Sequence, residues 1–384
     1  MHNNLVNKYS NHIAIIGAGI SGLALGCILK KADIPVIIFE KSKDISDYGA
    51  GISISPNGIR ILKNLKLYDE VVAVSSNPRQ ASFYSSNKQI NSFHIDVVTT
   101  SRQVLFKSLY KKYISLDGDI LFDHKLCDAN YDDLELHFSN NTSYKVKHVA
   151  ACDGIKSICR KKFESNNEPV YSGYSVWRAI VEKKQKNIKT FLGSNHHIVT
   201  YPISDSKVSF VAAIKTPKKY KESWRSPGTY EELKDDLLLG NKDSYSFINE
   251  NTPLFKWGVY IRPHIKNIKY KNLTLLGDAA HPIVPFIGQG GCLALEDAYI
   301  FGKLLIKFDC DINKTQNTYE VLRIKRIKTI ANMSLRQGHL NHISNPIIVF
   351  LRNFVMKRFP LLAMRSVREK IWSYDPEKEI RNFK

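Results

Sequence analysis

The sequence predicts an α/β protein: a parallel sheet flanked by helices, a second β-rich region, and a helical C-terminus. Two observations carry that prediction. Near the N-terminus a strand, a glycine turn, a helix and a second strand follow one another within about 30 residues, which is a βαβ unit. From Val170 to about Pro263 short strand-like runs replace helical periodicity.

Ile13 to Ile16 (IAII) is a β-branched apolar run ended by glycines, as a buried strand requires. Leu23 to Lys31 has helical character, and Val36 to Phe39 (VIIF) is a second buried strand. Between Ala81 and Ile95 the pattern alternates, as antiparallel strands do. Helical periodicity returns over Arg102 to Tyr113. Leu134 to Phe138 and Tyr144 to Val149 read as one hairpin turning at Asn140 and Asn141. Ser175 to Val181, His197 to Tyr201 and Val208 to Ile214 read as strands, with an acidic helix over Tyr230 to Leu239. Leu273 to Leu276 (LTLL) is a buried strand entering a Gly-rich turn. Cys292 to Lys307 and Thr315 to Met333 read as helices. The α/β part is therefore discontinuous, over 1–75, 100–165 and 270–330. The β-rich part spans 76–99 and 166–269, and 331–384 is helical.

The 384 residues are 43% hydrophobic and 24% charged, which excludes a disordered chain, a collagen-like repeat or a polytopic membrane protein. Lys+Arg number 56 against 36 Asp+Glu, for a net charge of +20. The lysines are spread out, so the charge reads as a solvated surface rather than a nucleic-acid groove. The densest run, Lys215 to Lys221, reads as an exposed loop. The six cysteines form no CxxC pair and no cluster with histidine, so reduced thiols and no metal are expected. Met1 to Asn11 is polar and unlike a secretory signal, and no apolar run is long enough to span a bilayer. A cytoplasmic location without membrane association is the expectation.

Gly17-Ala18-Gly19-Ile20-Ser21-Gly22 is G-x-G-x-x-G between a strand and a helix. Gly17 allows the tight turn, Gly19 lets a pyrophosphate approach the backbone, and Gly22 lets helix and strand pack closely. Phosphates would sit at the helix N-terminus, where free N–H groups and the dipole favour anions. Glu40 ends the second strand, 18 residues after Gly22, where a carboxylate can accept both hydroxyls of an adenosine ribose. It would repel a 2′-phosphate, which leaves FAD or NAD for this Rossmann-like site. A second constellation runs Gly277-Asp278-Ala279-Ala280-His281-Pro282, Pro285, Gly288-Gln289-Gly290-Gly291-Cys292 and Glu296-Asp297-Ala298. It reads as another anion-stabilising helix start, with Asp278 placed to accept hydrogen bonds from a polyol.

With these two motifs the chain resembles the single-component FAD-dependent aromatic monooxygenases, the p-hydroxybenzoate hydroxylase-like group. The 277–298 stretch is similar to the branch of zeaxanthin epoxidases, salicylate hydroxylases and urate hydroxylases, which often carries Cys where Cys292 stands. Further segments resemble that family in order. They are Gly49 to Ile52 with Pro56-Asn57-Gly58; Arg102 with Leu105 and Leu109; Cys152-Asp153-Gly154 with Ser157 and Arg160; Tyr319 with Arg323 and Arg326; and Asn345-Pro346 with Leu351-Arg352-Asn353.

The resemblance implies a discontinuous FAD-binding domain, a β-sheet substrate domain and C-terminal helices. It implies that Gly17, Gly19, Ser21, Gly22 and Glu40 bind the ADP half of FAD. Arg102 and Asp278 would hold the pyrophosphate and ribityl region, and Asp153 would serve both FAD and NAD(P)H. Gly288, Gly290, Gly291 and Cys292 would lie at the flavin's pyrimidine edge, with Pro285 near the point of oxygen reaction. The implied activity uses NAD(P)H as co-substrate and O2 to hydroxylate a small aromatic or polycyclic substrate through a flavin C4a-hydroperoxide.

Outside the motifs, Arg178 reads as a contact for an anionic substrate or NAD(P)H, or as a structural ion pair. Tyr201 and Phe210 could line the substrate face but are expected in core packing; His281 could be a general base but is expected to close its turn as a polar residue; Cys292 could be a reactive thiol but is expected as a small packed residue. Ile347 to Leu362, apolar with Arg352, Lys357 and Arg358, could lie on a membrane surface, but is expected to pack on its own domain and close over the site. A tetracycline-inactivating monooxygenase would carry the same motifs. Halogenases carry W-x-W-x-I-P and disulfide reductases C-x4-C, both absent here. A basic flavoprotein-like binding scaffold is the non-enzyme alternative, disfavoured by intact glycines at both turns.

Overall fold

The computed structural model describes residues 6–44, 50–163, 168–221, 226–237, 244–262 and 266–383. Gly49, Leu239 and Pro263, which bound sequence-predicted features, lie outside these ranges. Ile13–Ile16, Val36–Phe39 and His148–Ala151 are buried along their whole length. Strands of this kind fit only a sheet covered on both faces. They form one, in the order Lys269–Tyr270, Leu273–Leu275, His148–Ala151, Ile13–Ile16, Val36–Phe39, Asp119–Leu121. All its pairs are parallel except the first. The helices Ile20–Lys31 and Gly290–Lys307 bury most of their residues against its core. The α/β class expected from the sequence is the one observed.

The region from Leu134 to Val149 differs from the single hairpin expected. Glu135–Phe138 does pair with Ser143–Lys145, and Asn141 takes a φ of 62° in the turn. Val149, however, belongs to His148–Ala151, which crosses to the parallel sheet. The physical reason is visible in the burial. Tyr144 to Lys147 alternate between buried and exposed, while His148 to Ala151 are buried without interruption. Two kinds of strand had been read as one.

The second sheet has eight strands, ordered Pro227–Gly228, Leu254–Ile261, Val170–Glu182, Lys207–Lys215, His196–Pro202, Ile188–Gly193, Gln80–Ser85, Lys88–His94. Its pairs are antiparallel except Ile188–Gly193 with Gln80–Ser85. One face carries Trp177, Ala179, Phe210 and Ala212 into a local core with Leu233. The 30-residue helix Ile312–Asn341 joins the two halves. At one end Gln316 Nε2 donates to Leu273 O (3.0 Å), and at the other His342 meets His197. Helices Pro346–Arg358 and Pro360–Val367 follow and contain no buried residue.

Candidate active site

The first glycine turn is built by sterics. Gly17 has φ +103°, and a Cβ there would stand 2.6 Å from Cys152 O. A Cβ on Gly22 would stand 2.0 Å from Gly17 O, so helix and strand approach closely only without it. Gly19, at the N-cap of Ile20–Lys31, differs: a Cβ there meets nothing within 4 Å. The Glu40 carboxylate is held by two backbone N–H groups, Ala18 N to Oε2 (2.8 Å) and Ser42 N to Oε1 (2.9 Å).

The second turn follows Leu273–Leu275. Gly277 takes φ +59°, and its N–H donates to Asp297 Oδ2 (2.7 Å). Asp278 is exposed between buried Gly277 and Ala279, so it faces the cavity. A short 3-10 turn, Pro285–Ile287, leads to Gly288 at φ +64° and then to the start of Gly290–Lys307. A Cβ on Gly290 would also meet open space. Buried Gln289 fixes this turn, donating from Nε2 to Ser55 Oγ (2.8 Å) and accepting from Asn57 Nδ2 (3.0 Å).

Both turns open on one cavity of about 1510 Å3. Gly17, Gly19, Ser21, Glu40, Arg102, Asp153, Arg178, Asp278, Pro285, Gly288, Gly290 and Gly291 all line it. Gly22 does not, because it packs helix on strand. Cys292 does not either. Its thiol lies behind Gly291, 3.6 Å from Ser55 Oγ, and burial pushes its pKa up. It is a packed residue, as expected, and does not itself reach the cavity wall. Asp153 reaches the wall while Oδ2 accepts from Ile158 N (2.9 Å) and Cys159 N (3.4 Å). Burial raises its pKa despite those bonds.

The opposite wall is one face of the eight-stranded sheet, read at every second residue as a pleat demands. Arg178, Val199, Tyr201, Val211 and Trp257 stand on it. Tyr201 therefore lines the cavity instead of the core expected for it, whereas Phe210 faces the core behind the sheet. The Arg178 guanidinium lies 5.1 Å over the Trp257 ring and donates to Gly51 O (3.4 Å). Burial lowers its pKa, Tyr201 raises it and the neighbouring Arg102 charge lowers it. An arginine remains cationic under such pressure.

Behind the second turn sits a buried ionic network. Asp297 accepts from His281 Nε2 (2.5 Å) and Arg323 Nε (2.7 Å). Glu296 accepts from Arg323 Nη1 (2.8 Å), Arg326 Nη2 (2.8 Å) and Asn57 Nδ2 (2.7 Å). Burial pushes both carboxyls up, but His281 and Arg323 outweigh it for Asp297, at about 2, and Arg323 and Arg326 outweigh it for Glu296. His281 thus anchors the turn through Asp297 and closes it, as its place after Asp278 predicts.

The family model described as "FAD binding domain" matches residues 10–310. This chain belongs to that family. A 3-amino-4-hydroxybenzoate 2-monooxygenase of Streptomyces platensis is 28% identical over 358 residues, covering 88% of this chain and 90% of that one. The salicylate hydroxylase of Pseudomonas putida is 23% identical, covering 97% and 94%. Among solved structures, a salicylate hydroxylase substrate complex superposes with a TM-score of 0.81 at 21% identity, covering 98% of each chain. HpxO of Klebsiella pneumoniae, complexed with FAD and uric acid, gives 0.77 at 22% identity, covering 92% and 95%. With relatives that are monooxygenases and hydroxylases along nearly their whole length, the chain is an FAD-dependent enzyme of the monooxygenase and hydroxylase class.

The cavity fits FAD. Two helix starts without a side-chain cap, whose first-turn N–H groups have no partner within the helix, border it. At each, a glycine leaves open the space that a side chain would fill. Glu40 stands ready at one end, and Arg102 and Asp278 lie on the wall. Sequence reasoning missed the joint role of Glu296, Asp297, Arg323 and Arg326. The signal was present: two adjacent acids in an apolar helix, and two arginines spaced three apart on the next.

Proposed function

We propose that this enzyme uses NAD(P)H and O2 to hydroxylate a small anionic aromatic substrate held between the flavin site and the Arg178 wall. One observation carries the reading: a single cavity runs from Glu40 and the glycine turns to Arg178, Tyr201 and Trp257. Its size exceeds the roughly 300–1,000 Å3 of an ordinary ligand pocket, leaving room for a dinucleotide and a second molecule. Bound FAD, reduced by NAD(P)H, supplies the oxygen chemistry.

The chain's own groups bind and orient. Gly17, Gly19, Ser21 and Glu40 hold the ADP half, and Gly22 sets the spacing behind them. Arg102 and Asp278 hold the pyrophosphate and ribityl part. N–H groups over Gly288 to Gly291, beside Pro285, would stabilise negative charge on the flavin. Asp153, at the cavity wall, serves the dinucleotide region. Arg178 pairs with a substrate carboxylate or phenolate, as the hydroxybenzoate and salicylate names of relatives support. Apolar residues of the opposite wall exclude water from the ring.

The test is anaerobic mixing of the FAD-loaded protein with NADH and NADPH, following flavin absorbance. Hydroxybenzoates, salicylate, aminohydroxybenzoates, urate and tetracyclines form the panel. A substrate is expected to accelerate bleaching and to yield an oxygenated product in air. Faster reduction only by tetracyclines would replace the small-aromatic reading, and failure to bind FAD would overturn the cavity assignment.

A further inference from the structure

Helices Pro346–Arg358 and Pro360–Val367 contain no buried residue. Ile347, Phe350, Phe354, Phe359, Leu361 and Leu362 are between 50% and 74% exposed. Phe350 stacks on Phe354 at 6.5 Å, and Phe354 meets Phe359 edge-on at 6.3 Å, so they form one aromatic cluster. None of these six lines the cavity. Leu351, Val355 and Met356 on the same helix do, although Leu351 and Val355 are themselves exposed. The pair is therefore amphipathic in an inverted sense, with apolar groups on both the cavity side and the solvent side.

A contiguous exposed apolar patch of this kind marks a docking surface. Its charge selects the partner. From Val321 to Arg368 the chain has no Asp or Glu; Lys357, Arg358, Arg365 and Arg368 are exposed, Arg365 paired with Glu369, while Arg352 turns to the cavity and donates to Leu340 O (3.0 Å). A second copy meeting the first here would oppose cation with cation. An anionic lipid surface would meet both the charge and the apolar groups. No helix among the described residues is long and apolar enough to cross a membrane, which leaves binding in the surface plane.

We infer that Pro346–Val367 docks this enzyme on anionic lipid bilayers, with Phe350, Phe354, Phe359 and Leu361 entering the headgroup boundary and the exposed Lys357, Arg358 and Arg368 lying at the lipid phosphates. Docking would set the helical wall of the cavity against the bilayer. The sequence leaves a membrane surface open for this segment but favours packing on its own domain, where apolar segments of this length usually bury themselves. Here the cavity lies beneath it and takes only one face.

The test uses the full-length FAD-loaded chain and sedimentation with vesicles of phosphatidylcholine alone or with about 30% phosphatidylglycerol. Binding is expected to the mixed vesicles, roughly tenfold weaker to phosphatidylcholine, and to fall as salt shortens the screening length. Phe350→Asp with Phe354→Asp and Leu361→Asp should lose binding at least roughly tenfold while FAD content and light-scattering mass stay unchanged. If that variant loses FAD, Lys357→Glu with Arg358→Glu carries the test, since both residues are solvent-exposed. The inference is overturned if the wild type stays in the supernatant with anionic vesicles. Binding by the triple variant equal to wild type would also overturn it. So would a wild-type dimer that the variant splits without any change in vesicle binding.

Discussion

Gly19 and Gly22 stand three residues apart in one turn, and the same substitution should separate cofactor binding from folding. For Gly22→Ala the new Cβ would lie 2.0 Å from Gly17 O. Ordinary contact is above about 3.4 Å, so helix and strand must part by more than an ångström. Overpacking of well-packed positions costs ~1–3 kcal/mol, and a backbone clash belongs at or above that upper end. For Gly19→Ala the Cβ meets nothing within 4 Å, and the backbone at φ −75°, ψ −172° suits alanine. The apo protein should stay within ~0.5 kcal/mol of wild type, or gain ~0.4–1 kcal/mol from a stiffer unfolded chain. If a pyrophosphate approaches Gly19, the methyl group collides with the cofactor instead. A penalty of ~1–3 kcal/mol then weakens FAD binding by roughly 5- to 150-fold. The assay is urea unfolding of apo protein together with FAD titration by flavin fluorescence. Unchanged FAD affinity in Gly19→Ala would refute the placement of the cofactor at this turn. An apo Gly22→Ala protein as stable as wild type would refute the packing argument.

Glu296→Gln keeps the shape of the side chain but leaves Arg323 and Arg326 buried with one fewer charge partner, so urea unfolding should register a loss of ~3–5 kcal/mol. Acid should destabilise the fold in two stages. His148 and His197, pushed by burial to about 3, and His342, also lowered, are neutral when folded. The unfolded chain therefore takes up protons from about pH 6.5 downward, and stability falls with pH from there. Glu296 and Asp297 add a second loss as pH drops below their unfolded values near 4, Asp297 being protonated in the fold only at about 2. A urea midpoint that stays level between pH 7 and pH 5 would contradict the first stage. Arg178→Ala should raise KM for carboxylated substrates roughly 10- to 150-fold, the equivalent of ~1.5–3 kcal/mol for a charged hydrogen bond, while FAD stays bound. Thiol labelling of the native protein should reach exposed Cys127 first and spare buried Cys27, Cys159 and Cys292; rapid reaction of Cys292 would oppose its packed assignment.

The sequence alone carried whatever depends on neighbours along the chain. A strand needs only its own apolar run, and a phosphate turn needs only its glycines at fixed spacing. So the glycine turns at Gly17 and Gly288, and the placing of Gly19, Glu40 and Asp278 beside them, were legible before any coordinates. The cysteine and histidine readings at Cys292 and His281 were local too, since both follow from a place at a helix start or a turn end. What the chain could not reveal is which side of an element faces what. Tyr201 and Phe210 both sit in alternating runs, and only the sheet's position between a cavity and a helical core sends one to each side. Val149 left its expected hairpin because burial on both faces draws a strand into a parallel sheet. Glu296, Asp297, Arg323 and Arg326 became one network only when two helices packed and water was excluded. The segment from Ile347 to Leu362 shows the same limit at the surface. Its apolar composition demands a partner, but composition has no direction. Only the fold, by placing a cavity beneath one face, left the other turned to solvent.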